Sequence, residues 1–362
     1  MGTFLSDRYE LVRHVADGPI ASLHEGRLRG SAGFSRPVAI RQLEPRYAKD
    51  PRFVGAWAAA ATEVAERPSP HLEEVLDLVV DRDRVYVVTE WIDGLSLAGF
   101  LGTYEHPPWT LVTRVLVGLL DGLHRLHTID PPLVHRGVSA SAVRISIDGA
   151  VKLTRTGVAG GLAAIGEGRT ESEAAGLMHV APELLDGHGA TPATDVFGLG
   201  ALALEALAAG PPFVGGDLDE PRDLASVRKD VPPLLVSLVE RALRPEPGDR
   251  FESADEMARA LERLLHAEPT PIDASSLARA VRGARDKASK AAEAPGPAAL
   301  AASLSRMKSS PDARPPTQEA LPPKEPKKRP VGLPEQRTLH VDDADFIALQ
   351  SDPPPAAEPE PE

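Results

Sequence analysis

The segment DVFGLGALALEAL, residues 195–207, constrains the fold more than any other part of this sequence. Its residues favour a helix, but apolar side chains lie on nearly every side of that helix, so it must be buried. Amphipathic patterns flank it: an apolar stripe at helical spacing over 111–123, and the segments PLLVSLVERAL and SADEMARALERLL further along. These patterns predict a mainly helical unit, built around one buried helix, over residues 93–267.

The first ninety residues have a different pattern, with alternating or β-branched runs in place of helical spacing. The runs YELVRHV, ASLHEGRL and RPVAIRQL are typical of strands, and residues 76–92 are typical of a hairpin that turns near Asp81–Asp83. One alanine-rich segment, Phe53–Glu66, interrupts them and has strong helix propensity. Residues 8–92 are therefore predicted to form a small, β-rich unit.

Residues 268–362 are expected to form a mostly disordered tail. They hold 17 of the 36 prolines and few large apolar side chains, so they cannot bury enough surface to offset the entropy of ordering. Two segments stand out within the tail. Residues 275–294 are rich in Ala, Arg and Lys and predict a marginal helix, and residues 337–350 resemble a short docking motif with acidic and apolar residues.

Charge and composition exclude several classes of function. The net charge of −13 and the pI of about 5.4 argue against nonspecific binding to nucleic acid or anionic membranes. The absence of cysteine excludes disulfides, thiolate catalysis and cysteine-based zinc sites. No signal peptide and no membrane-spanning run is recognisable. We expect a cytoplasmic protein with protein partners, no metal, and no nucleic-acid or membrane ligand.

The order of elements and several short motifs resemble the protein-kinase family, specifically bacterial Ser/Thr kinases of the eukaryotic type. The segment TEWIDGLSL (89–97) resembles the hinge between the lobes, and VAPELL (180–185) resembles the end of the activation segment. The resemblance implies a bilobal α+β fold over residues 8–267, with a β-rich N-lobe and a helical C-lobe. It also implies structural roles, in the catalytic loop, its backbone cap and a buried ion pair, for five residues: His135, Arg136, Glu183, Asp195 and Arg250.

The groups that perform phosphoryl transfer in that family are replaced at the matching positions. Transfer needs Mg²⁺, a Lys on the third strand, a Gly-rich loop over the phosphates and an Asp that aligns the acceptor hydroxyl. Arg41 replaces the Lys, in VAIR. In HRGVSASA, Gly137 replaces the aligning Asp and Ala142 replaces the metal-binding Asn. Arg155 replaces the metal-binding Asp after VKLT, where its positive charge repels Mg²⁺.

Two further losses accompany these replacements. The loop VADGPIASL keeps only Gly18, since Ala16 and Ala21 stand at the other two glycine positions. The helix carboxylate that orients the Lys is expected to be absent, because Glu63 lies about one turn too late. Losses at so many separate positions imply a catalytically inactive domain, a pseudokinase. We expect it to act as a scaffold or allosteric regulator in signalling, with active kinases or other signalling proteins as partners.

Two other functions stay open at this point. One is a weak or atypical Ser/Thr protein kinase that transfers phosphate from ATP to protein. The other is a non-catalytic nucleotide- or anion-sensing module, including weak ATP binding without Mg²⁺. The resemblance implies that the residues able to bind such a ligand line the cleft; they are Gly18, Arg41, Glu90, Arg144 and Arg155. The simpler interpretation is that the arginines pair internally with acids such as Glu63 or Glu90 and seal the cleft.

The activation segment, residues 157–180, is glycine-rich and is expected to be mobile. Thr170 and Ser172 within it are candidate phosphorylation sites that would pair with Arg136. Ser139 and Ser141 lie close to His135 in the sequence, but no acid is placed to orient that histidine. A serine nucleophile is therefore not expected.

Overall fold

The computed structural model describes residues 3–167, 179–213 and 220–293. Its strands, numbered in chain order, are β1 (Thr3–Leu5), β2 (Tyr9–Asp17), β3 (Ala21–Arg29), β4 (Ser35–Leu43), β5 (Val75–Asp81), β6 (Arg84–Glu90), β7 (Gly94–Ser96), β8 (Val143–Ser146) and β9 (Val151–Leu153). Its α-helices are α1 (Pro45–Ala48), α2 (Pro51–Glu66), α3 (Leu97–Leu101), α4 (Trp109–His127), α5 (Val158–Ala164), α6 (Pro182–Leu185), α7 (Pro192–Ala208), α8 (Leu224–Val227), α9 (Pro233–Ala242), α10 (Ala254–His266) and α11 (Ala274–Glu293).

The smaller lobe is an antiparallel sheet with the strand order β1-β2-β3-β4-β6-β5, and α2 packs against it. The alternating runs of the sequence form these strands, and the predicted hairpin is β5 and β6, joined through Arg82 at a φ of 60°. Helix α2 buries Phe53 and Trp57 along one face and begins at Asp50, whose carboxylate caps the amide of Arg52. This lobe therefore matches the unit predicted from the sequence.

The larger lobe is helical and surrounds α7, as the apolar pattern requires. Every residue of α7 from Thr194 to Ala208 is buried except Glu205. A second sheet, β7-β8-β9, lies where the chain passes from one lobe to the other. Its strands approach closely at Gly94, where a Cβ would lie 2.0 Å from the carbonyl oxygen of Ile145, so only glycine fits. The predicted α+β, bilobal fold is thus observed.

The structured domain extends beyond the predicted bounds of 8 and 267 at both ends. Strand β1 pairs with β2 before residue 8. After residue 267, a helix occupies Ala274–Glu293, and its residues up to Arg285 belong to the same compact unit as the two lobes. Only a narrow stripe of α11 is buried. The sequence pattern therefore does not distinguish this docked helix from a marginal one. The predicted motif at 337–350 lies outside the described residues.

Candidate functional site

The backbone of the catalytic loop is held by one buried carboxylate, that of Asp195 at the start of α7. Its oxygens accept hydrogen bonds from the amides of His135 (2.8 Å) and Arg136 (2.7 Å) and from Nε2 of His127 (2.9 Å). Arg136 has a φ of 63°, an uncommon conformation for a non-glycine residue, and the two amide bonds hold it there. Asp195 thus occupies the capping position that the resemblance implies, and the loop keeps its shape.

His135 is a structural residue in this loop. Its Nε2 donates to the carbonyl oxygen of Thr154 (2.8 Å), and its Nδ1 accepts from the amide of Gly137 (3.3 Å). Burial lowers the pKa of His135, and the charge of Arg155 acts in the same direction. A neutral imidazole with both nitrogens engaged cannot accept a proton from a substrate.

The positions that would align a hydroxyl and hold Mg²⁺ carry no carboxylate or amide. A Cβ added at Gly137 would meet nothing closer than 3.9 Å, so a side chain fits there but is missing. Ala142 is fully buried. Within the described ranges, no group of three or more His, Cys, Asp or Glu side chains could hold a metal ion. With a glycine, an alanine and an arginine at the three positions, this donor set does not fit Mg²⁺.

Arg41, on β4, lies in a closed and buried cluster. Its guanidinium is 2.8 Å from Oε1 of Glu73 and donates to Oγ1 of Thr89 at 2.9 Å. The hydroxyl of Thr89 donates in turn to Oε1 of Glu73 at 2.9 Å. Arg41 and Glu73 are each 7% exposed and Thr89 is 2% exposed. The positive charge at the family's Lys position is therefore neutralised inside the protein.

The carboxylates expected to pair with the cleft arginines bind other partners, so that part of the prediction is wrong. Glu63 pairs with Arg67, one turn along the same helix. Glu90 accepts from Nζ of Lys152 at 2.6 Å and from the amide of Glu74 at 2.8 Å. Each of these carboxylates thus has another donor, and Arg41 pairs with Glu73 instead.

Arg144 lies on β8, at the position where the family places an apolar residue beneath the adenine. Its side chain is half-buried, and Nη2 is 3.5 Å from the carbonyl oxygen of Ile92 in the hinge, the outer limit of a hydrogen bond. The guanidinium of Arg144 is therefore turned toward the hinge.

The start of the activation segment is a packed helix, so the expectation of a mobile segment is wrong for its first residues. Helix α5 begins directly after Gly157, where a Cβ would lie 2.7 Å from Cβ of Ala60 in α2. Val158 and Leu162 are buried against α2. The close approach explains the glycine, which also has a φ of 93°.

The loop at residues 15–23, which stands in the place of the family's glycine-rich loop, takes part in the same apolar packing. Ile20, in the middle of the loop, is 1% exposed and belongs to the cluster that contains Val158 and Leu162. The amide of Gly18 donates to the carbonyl oxygen of Ala21 at 3.1 Å, which closes the loop into a tight turn. The loop is thus held by apolar contacts to the protein itself.

The ion pair expected between Glu183 and Arg250 is present and fully enclosed. Two hydrogen bonds, of 2.9 and 2.7 Å, join the guanidinium to the carboxylate, and Thr194 donates to the same carboxylate. Burial acts to raise the pKa of Glu183, but the bonds from Arg250 outweigh it and hold the pKa below its ordinary value. The pair ties the end of the activation segment to the larger lobe.

Comparisons with known proteins agree with this architecture. A family model described as "Protein kinase domain" matches residues 36–269. The chain belongs to the protein kinase family. It is 31% identical over 277 residues to the serine/threonine-protein kinase PknL of Mycobacterium tuberculosis, covering 74% of this chain and 68% of PknL. It is also 31% identical over 281 residues to the tyrosine-protein kinase MasK of Myxococcus xanthus, covering 71% of this chain.

This kinase-family chain spans only part of some relatives: 43% of MasK and 60% of PknA of Corynebacterium glutamicum. Among solved structures, the kinase domain of PknI from Mycobacterium tuberculosis has a TM-score of 0.59 and 23% identity, covering 72% of this chain and 98% of that chain. At that identity the likeness is one of fold alone.

Sequence reasoning missed Glu73 and Lys152, the two residues that neutralise charges around the kinase cleft. A signal for Glu73 existed: Arg41 stands in the apolar strand VAIRQL, and a buried arginine requires an acid. The candidate phosphorylation sites Thr170 and Ser172 lie outside the described residues. Among the helices described, none is both long and apolar enough to cross a membrane.

Proposed function

We propose that this kinase-family domain does not transfer phosphate and acts instead by binding other proteins, as a scaffold or an allosteric regulator. The observation that carries the proposal is the closed cluster of Arg41, Glu73 and Thr89. In an active kinase, the basic residue on this strand pairs with the phosphates of ATP. Active kinases also keep a carboxylate beside this residue, but here the guanidinium is only 7% exposed and is bound to both Glu73 and Thr89. Turning it out of this cluster toward a phosphate would leave the buried carboxylate unpaired, which is costly.

The replaced donor groups support the same proposal. A general base alone contributes roughly 10²- to 10⁴-fold to a rate. Gly137 supplies no base, and Ala142 and Arg155 supply no oxygen for Mg²⁺. Each loss removes a separate part of transition-state stabilisation, so restoring one of them leaves the others missing. These residues therefore do not support a reaction step that depends on Mg²⁺.

The retained contacts support a binding role. Asp195 and the pair of Glu183 with Arg250 preserve the shape of the catalytic loop and of the activation-segment end, without any chemistry to perform there. A fold that keeps its buried polar network while it lacks its reactive groups is suited to present a surface. Partners of the signalling class, including active kinases, fit this role.

A second candidate is a weak Ser/Thr protein kinase, favoured by the names of the relatives, since PknL and PknA are called serine/threonine-protein kinases. A transfer assay with labelled ATP separates the two. The full chain is incubated with Mg²⁺ or Mn²⁺ and a general protein substrate. The matched variant is Arg41→Met with Glu73→Val, which removes the charge at this position without leaving either partner buried and unpaired. We expect no incorporation by either protein. Incorporation that this double variant abolishes would overturn the proposal and establish the kinase.

The scaffold role needs its own test. The full chain and the double variant Arg41→Met with Glu73→Val are each cross-linked in cells of the source organism, and the captured proteins are identified. We expect one defined set of signalling proteins with both. Capture of no reproducible partner by the wild-type chain would count against the scaffold role while leaving the loss of catalysis untouched.

A further inference from the structure

Helix α11, which follows the last helix of the family model's match, lies directly on the turn between β8 and β9. Gly149 in that turn has a φ of 84°, and a Cβ there would lie 1.9 Å from the carbonyl oxygen of Ala274 and 2.9 Å from the amide nitrogen of Ala278. Only glycine, which has no side chain, fits at this position. The turn and the first turns of α11 are therefore built to touch.

Apolar contacts attach α11 to the larger lobe. Leu277, Val281 and Ala284 are each no more than 1% exposed and belong to the main core cluster. Their spacing of four and three residues places them on one face of the helix. This face is part of the domain core, not a surface left for the tail.

Two arginines connect α11 to the hinge, Arg285 directly and Arg282 through the turn between β8 and β9. Arg282 donates to the carbonyl oxygen of Ile147 at 2.8 Å, and the amide of Ile147 donates to the carbonyl oxygen of Asp93 at 2.8 Å. Arg285 pairs with Oδ1 of Asp93 at 2.8 Å. Asp93 lies between β6 and β7, so it belongs to the chain that joins the two lobes.

We propose that α11 is a strap that fixes the hinge to the larger lobe, so that the freedom of the lobes depends on whether this helix is docked. The pair of Arg285 with Asp93 is about half exposed on each side and contributes little alone, so the apolar face supplies the attachment and the arginines set the position. The helix leads into residues 294–362, so it connects the hinge to the rest of the chain.

The test compares Val281→Asp with Arg279→Asp in the full chain. Both place an aspartate in α11, but within the described part of the chain Arg279 bonds only to Ser275 and Ser276 of its own helix. Hydrogen exchange is measured for peptides covering 93–97 and 143–151. We expect Val281→Asp to speed exchange there about tenfold or more, with α4 and α7 unchanged, and Arg279→Asp to have no effect.

The absence of cysteine allows a second readout, the distance between the lobes. Val80 on β5 and Val227 on α8 are exposed and can be replaced by cysteine for spin labels. We expect one narrow distance distribution in the parent and in Arg279→Asp, and a broad one in Val281→Asp. An unchanged distribution in Val281→Asp, with α11 shown to be released, would overturn the strap.

If Val281→Asp fails to fold, the charge reversal Arg285→Glu takes its place. We expect faster exchange at 93–97 in this variant, restored to the parent rate by adding Asp93→Arg. Unchanged exchange in Arg285→Glu would contradict the proposed role of this arginine at the hinge, and no restoration by Asp93→Arg would contradict the pairing.

Discussion

Replacing Glu73 with valine is expected to destabilise the domain strongly, because it leaves the buried charge of Arg41 without its carboxylate partner. Arg41 is only 7% exposed, and Thr89 would be its one remaining partner in the cluster. Removing one partner of a buried pair costs about 3–5 kcal/mol. For a domain of this size, each kcal/mol lowers the melting temperature by about 2–4 °C, so the expected fall is about 6–20 °C.

The double variant Arg41→Met with Glu73→Val removes both charges and is expected to recover most of that loss, since an apolar replacement of a buried pair is often neutral or stabilising by about 1–4 kcal/mol. The free energy of unfolding of the parent, of Glu73→Val and of the double variant is measured by urea unfolding followed by circular dichroism. Glu63→Val serves as the control, because its partner Arg67 is 40% exposed and such a pair contributes at most about 1 kcal/mol. If Glu73→Val costs no more than Glu63→Val, the Arg41 cluster is open to water and the reasoning fails.

Three further predictions concern the catalytic loop and the buried pair. Gly137→Asp is expected to change stability by no more than about 0.5 kcal/mol, since its Cβ would make only ordinary contacts at 3.9 Å or more, and to bring no phosphate transfer; a gain of transfer would refute this. Glu183→Ala is expected to cost about 3–5 kcal/mol in urea unfolding, because Arg250 is left buried and unpaired; a cost below about 1 kcal/mol would contradict it. The pKa of His135 is lower in the folded than in the unfolded state, so the unfolded state takes up the proton first. Stability is therefore lost as pH falls below about 6.5, and His135→Gln is expected to lose less between pH 7.5 and 5.5. Equal losses in variant and parent would show that His135 is not the cause.

The fold was predictable because its signals are local and periodic. The residues of α7 are apolar on nearly all sides, and that pattern by itself requires a surrounding helical lobe. The Asp148-Gly149 pair between β8 and β9 is an equally local signal, because this dipeptide is typical of a hairpin turn. The replaced positions Gly137 and Arg155 were readable too, because a missing functional group is a property of one residue within a short motif.

The charge partners were not predictable, because pairing depends on distances between segments far apart in the sequence. Arg41 and Glu73 are neighbours only after β4 and β6 pair and the chain from α2 returns beside them. Glu63 and Glu90 were equally plausible acids in the sequence. The docking of α11 was not predictable for the same reason. The spacing of Leu277 and Val281 indicates an apolar face on one helix, but not which part of the domain that face contacts.

The most direct test of the central claim, that this kinase-family domain does not use Mg²⁺ and ATP, is a thermal titration of the full chain with ATP in the presence and absence of Mg²⁺. A ligand at 100 times its dissociation constant stabilises a protein by about 2.7 kcal/mol, a shift of several degrees. We predict no Mg²⁺-dependent shift. Stabilisation by ATP that needs no metal would point to a nucleotide-sensing module. Stabilisation that requires Mg²⁺ and is lost in the double variant Arg41→Met with Glu73→Val would contradict the account.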